Sequence, residues 1–91
     1  MAVTVKIPQL LRELTGGRDE VSVEAKTAEQ ALDELEKKFP RVKGRICRGD
    51  GSLHGFVNLY VNDEDVRFLD GLSTQLKEGD VVTILPMIAG G

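Results

Sequence analysis

The sequence predicts an α+β fold, a mixed sheet of four to five strands with one main helix packed on one face. Three observations carry this. Val3, Val5 and Ile7 alternate with Ala2, Thr4 and Lys6. Ala28, Ala31, Leu32, Leu35 and Phe39 recur at helical spacing. Two further runs of strand length, Phe56 to Asn62 and Val81 to Leu85, lie toward the end of the chain.

The elements follow in order. Met1 to Ile7 has period two and β-branched residues, so it reads as a strand with one buried face, stopped by Pro8. Gln9 to Leu14 reads as a short helical turn, and Thr15-Gly16-Gly17 as a reversal where positive φ carries no steric cost. Val21, Val23 and Ala25 alternate with Glu20, Ser22 and Glu24, giving a second strand and an N-terminal hairpin. Thr27 with Gln30 three residues later has the form of a capping box, and it opens the helix. Glu29, Asp33 and Glu34 lie early in that helix and Lys37 and Lys38 late, as its dipole favours, and Pro40 ends it.

Val42 and Ile46 anchor a short helical turn, and Gly49-Asp50-Gly51-Ser52 is a loop signature. Phe56 to Asn62 is apolar on both faces, as expected of a central strand. Asn62 to Asp65 is turn chemistry, and Val66-Arg67-Phe68 reads as a short returning strand. Leu72 to Leu76 reads as a 3₁₀ turn and Glu78-Gly79-Asp80 as a reversal; Val81 to Leu85 is the last strand, closed by Pro86. The order is β-β-α-β-β-β, with a right-handed crossover for parallel pairing across the helix; this is the β-grasp layout. The expected division is a domain over 1–86 and a flexible tail over 87–91.

Composition narrows function. The 91 residues make one domain, and no apolar run approaches the roughly 20 residues of a membrane-spanning helix. The start lacks a basic region followed by a sustained apolar stretch, and Cys47 has no second cysteine to pair with, so a cytoplasmic location is expected. One His and one Cys exclude a His/Cys zinc cage within the chain. His54 stands beside no recognisable nucleophile, which favours a loop histidine over a general base. Cys47 lacks a base, although Arg45 and Arg48 would lower its pKa if close in space. Asp63, Glu64 and Asp65 are adjacent acids pointing different ways, which suits a solvated turn better than a cation site. Six basic residues and no acidic one fall between Lys37 and Arg48, but the only aromatic there, Phe39, belongs to the helix stripe. With a net charge of -3 this reads as a solvated helix end or a dock for an acidic protein, not as a nucleic-acid site.

The closing residues are the informative ones. Gly90 and Gly91 lack Cβ atoms and can thread a channel too narrow for other residues, delivering the Gly91 carboxylate to a distant active site. Composition gives two closing glycines a chance of only about 0.01, which weighs against a purposeless frayed end. A carboxylate becomes an acyl donor only after activation, so such a tail suits a protein that is a substrate while another protein is the catalyst. Pro86 stiffens the base of the tail, and Met87 and Ile88 are expected to anchor it on the partner. If the helix covers Val57, Leu59, Val61, Val82 and Ile84, the opposite sheet face shows Phe56, Tyr60, Thr83 and Leu85, a candidate docking surface.

These features together resemble the MoaD/ThiS family of ubiquitin-like sulfur carriers. Within it, VTVKIPQLLRELTGG, FVNLYVNDEDVRF and VTILPMIAGG are similar to the CysO-type branch of cysteine biosynthesis. The resemblance covers nearly the whole chain, with Lys26 to Asp50 matching loosely; NDEDVRF points to the branch. Met87 departs from the small residue or proline usual in these carriers. The resemblance implies a carrier that is not itself an enzyme. An E1-like adenylating enzyme with ATP and Mg²⁺ would activate Gly91, and sulfur donation would make a thiocarboxylate. A PLP-dependent cysteine synthase would join it to an activated serine, and a JAMM-type zinc metalloprotease would release cysteine. The carrier itself would bind no cofactor. The residues leave other acceptors open (molybdopterin, thiamin thiazole, tRNA thiouridine), as well as a ubiquitin-like protein modifier and a plain interaction domain.

Overall fold

The computed structural model describes residues 1–50, 52–55 and 57–86. The elements are β1 (Ala2–Lys6), β2 (Glu20–Glu24), α1 (Ala28–Lys38), α2 (Val42–Ile46), β3 (Val57–Val61), β4 (Glu64–Asp65) and β5 (Val81–Pro86). They form an α+β β-grasp, a five-stranded mixed sheet in the order β2-β1-β5-β3-β4 with α1 on one face.

The alternation seen in the sequence becomes the two faces of the sheet. Val3, Val5, Val21, Val23, Val57, Leu59, Val61, Val82 and Ile84 are buried, and Ala28, Ala31, Leu32 and Leu35 of α1 close over them. Thr27 caps α1: its side chain accepts from the Gln30 N–H at 3.1 Å, while Gln30 Oε1 accepts from the Lys26 N–H at 2.6 Å. The returning bond of the box therefore lands one residue before the cap. Phe39, at the end of the stripe, is only partly buried. The 3₁₀ segment Gln9–Thr15 joins β1 to β2, burying Leu11 and Thr15; Gly16 and Gly17 then turn the chain at φ 65° and 85°. Leu76 is tied to the start of α1 by its N–H on the Lys26 carbonyl at 2.8 Å, which brings the chain before β5 across the core.

Three expectations are corrected. Val66-Arg67-Phe68 is a 3₁₀ turn; the short strand paired with β3 is Glu64–Asp65, two residues earlier. Asp65 causes this, because its carboxylate accepts from the Arg67 N–H at 2.8 Å and caps a turn where a strand would need extended backbone. The central strand is β5, not β3, whose outer neighbour is only two residues long. The strands flanking α1 are also not neighbours. The hairpin occupies one side of β1, and β5 pairs with its other side, so the parallel pair is β1–β5. A smaller shift concerns the last 3₁₀ turn, which spans Gly71–Ser73.

Candidate functional site

The end of the described chain is built to be held firmly. Strand β5 runs between β1 on one side, at Val81 to Thr83, and β3 on the other, from Val82 opposite Val61 to Pro86 opposite Val57. Its entry is locked by Asn62, which sits at φ 54°. The Asn62 N–H donates to the Val81 carbonyl at 2.8 Å, its Oδ1 accepts from the Val81 N–H at 3.0 Å, and its amide donates to Asp80 at 3.0 Å. That bond, with one from the Lys77 N–H, holds the Asp80 carboxyl below the usual carboxylate range. The described residues thus end on a strand paired along both sides. Gly91, Gly90, Met87 and Ile88, and also Phe56, lie outside the described residues.

Of the other expected docking residues, the structure brings three to one face. Tyr60 and Thr83 are paired across β3 and β5 and half-buried. Leu85 is 46% exposed on the same face, diagonal to Tyr60 and opposite Asn58. Asn58 Oδ1 accepts from the Arg67 guanidinium at 2.5 Å, and Arg67 also grips Asp65 at 2.8 Å. The Asp65 carboxyl is lowered first by the Arg67 side chain and then by the Arg67 N–H. This clamp fixes the 3₁₀ turn that carries Phe68, whose side chain is 86% exposed. Phe68, Arg67 and Asn58 escaped the sequence reading because a strand through 66–68 hides that geometry. The signal that could have found them is Asp65 two residues before Arg67, an Asx-turn pattern.

The remaining candidates separate from this face. Cys47 is buried, and burial pushes its thiol up, against a smaller opposing effect of Lys43. That is the reverse of an activated nucleophile. His54 is half-buried and donates its backbone N–H to the Ile46 carbonyl at 2.9 Å. Asp63 and Glu64 are exposed while Asp65 turns to Arg67, and no metal-holding acid, His or Cys cluster exists among the described residues. In the basic stretch, Lys43 pairs with Asp33 and Lys37 with Glu34, on the helix layer opposite the Tyr60 face. No helix among the described residues is long and apolar enough to cross a membrane.

Chemically, this arrangement offers a fixed strand end and a contact face. Residues 5–91 match the ThiS family. The chain belongs to the ThiS family. It is 48% identical over 93 residues, covering all of both chains, to a protein named sulfur carrier protein CysO from Mycobacterium tuberculosis. Among solved structures, the ThiS-family fold is shared with the Amycolatopsis orientalis BexX/CysO complex, at TM-score 0.92 and 46% identity over 98% of this chain and 99% of the other. It is shared too with small archaeal modifier protein 1 from Methanosarcina acetivorans, at TM-score 0.86 and 35% identity over 99% and 96%. Both the MoaD/ThiS resemblance and the β-grasp expectation are thereby borne out.

Proposed function

We propose that this chain is a sulfur carrier whose Gly91 carboxyl is converted to a thiocarboxylate, with cysteine biosynthesis as its destination. The observation that carries the reading is full-length similarity to a named sulfur carrier, at 48% identity, on a fold whose central strand leads into the glycine-ended segment. The chain acts as co-substrate. In a partner adenylating enzyme, the Gly91 carboxylate attacks the α-phosphorus of ATP and pyrophosphate leaves, with Mg²⁺ held by that enzyme. A sulfur nucleophile at the hydrosulfide level then attacks the acyl carbon and AMP departs, leaving the thiocarboxylate. Once the thiocarboxylate has formed, the sulfur stays covalently bound to the chain until its transfer.

The next steps belong to partners. A PLP-dependent cysteine synthase joins the thiocarboxylate sulfur to the β-carbon of an activated serine, whose activated oxygen substituent departs. The acyl group then shifts from sulfur to nitrogen, and a JAMM-type zinc metalloprotease hydrolyses the resulting amide. The reading places the chain in the cytoplasm, where ATP is at hand. Gly90 gives narrow access, and Tyr60, Leu85, Phe56, Met87 and Ile88 seat the domain; we add Phe68 to that surface for its exposure.

Intact mass tests the reading. Incubation with an adenylating enzyme, ATP and a sulfur donor adds about 16 Da, and the cysteine adduct adds about 103 Da. Deletion of Gly91 eliminates both products; persistence of either would overturn the assignment. A second reading, protein modification through Gly91, is favoured by the similarity to an archaeal modifier. It predicts conjugates heavier by the mass of a target protein in place of the small shifts.

A further inference from the structure

The edge of the sheet farthest from β4 is open. Strand β2 is the terminal strand on that side. The N–H groups of Ile7 and Ala25 bond to the carbonyls of Asp19 and Met1, which fixes the alternation along the hairpin. In that register Val21 and Val23 exchange bonds with β1, while the backbone groups of Glu20, Ser22 and Glu24 point away from the sheet. Beside this edge lie two cavities of about 380 and 390 Å³ that share Ser22 and Lys38. Together they form one groove between β2 and the last turns of α1, with Arg18 and Phe39 at one end, Glu24 and Glu34 at the other, and Lys38 lining both. Among the described residues, Arg18 and Lys38 take part in no ion pair.

We propose that this groove is a strand-addition site for an extended segment of a partner protein that places a carboxylate between Arg18 and Lys38. The backbone of the incoming segment bonds to Glu20, Ser22 and Glu24, extending the sheet by one strand. Alternate side chains enter the groove, an apolar one against Phe39 and an acidic one at the cationic end. Opposite Glu20 and Glu24 the partner carries cationic or neutral residues. A second copy of this chain is the wrong occupant: antiparallel pairing of β2 with itself centred on Ser22 sets Glu20 of each copy opposite Glu24 of the other. The site is independent of Gly91 chemistry, and its test reads binding alone.

The probe is the blocked hexapeptide acetyl-Thr-Val-Lys-Asp-Thr-Val-amide, titrated into the full chain labelled with ¹⁵N. We expect saturable amide shifts centred on Glu20, Ser22, Glu24 and Phe39, with a Kd on the order of 1 mM or tighter. Ser22→Pro removes one outward N–H at an edge position that tolerates proline, and Lys38→Glu reverses the groove charge. Each weakens binding about tenfold or more, as does replacing the peptide aspartate by lysine. Lys38→Glu keeps every backbone donor, so it tests the site even if Ser22→Pro fails to fold. The proposal is overturned by absence of shifts on β2 up to about 5 mM peptide. It is overturned equally by shifts centred elsewhere, by unchanged affinity of the Lys38→Glu protein, or by self-association through β2 in sedimentation.

Discussion

Asp65 shows how one side chain redirects the chain. It is buried within a surface turn, accepts from both the backbone and the guanidinium of Arg67, and so keeps its negative charge to lower pH than a free aspartate. Because the folded-state pKa is depressed, its stabilising contribution is present above the unfolded value of about 3.9. That contribution is lost as pH falls through the lower folded value. The wild-type protein should therefore outlast Asp65→Asn in urea at pH 7, and the gap between their midpoints should close as pH drops below about 4. A gap that widens with acid would contradict the sign. Arg67 is largely exposed, so the effect is modest at any salt and smaller at high salt. Without the clamp, Phe68 would lose its fixed presentation before the fold itself suffers.

At the scale of elements, α1 was legible almost to the residue. Thr27, the apolar stripe, the acidic start, the basic end and Pro40 all act within one or two turns of chain. Thr27→Ala should cost about 1 kcal/mol, read as a fall in the urea midpoint with the slope unchanged. Strand β3 was legible as a strand but not as to its place. Its run of apolar residues suggested a central strand, yet Asn58 and Tyr60 lie on a half-buried outer face, beneath the Arg67 turn. The 66–68 segment failed for a related reason: Val-Arg-Phe has strand propensity, and only the Asp65 cap overrides it.

For the whole molecule, the sheet separates stability from contact. Leu59 is fully buried beneath α1, and Leu59→Ala should cost about 2–5 kcal/mol in urea unfolding. Tyr60 is its neighbour on the opposite face. Tyr60→Asp should leave the unfolding midpoint near wild type while abolishing thiocarboxylation by a partner enzyme, measured by intact mass. A Tyr60→Asp protein that unfolds would mean the two faces are misassigned. The same division leaves the β2 groove on the far edge of the sheet from the Phe68 turn.

The amino-acid sequence by itself determined the helix with its cap and the buried faces of β1, β2, β3 and β5. All of these are properties of neighbours along the chain, where periodicity and local hydrogen bonds act. Tertiary structure alone decided that β5 lies between β1 and β3, that Phe68 stands out in solvent and that β2 is left with an open edge. Those outcomes depend on which distant segments meet. Strand order is set by the competition of whole apolar faces for one helix, a sum over residues far apart that no short window of sequence contains.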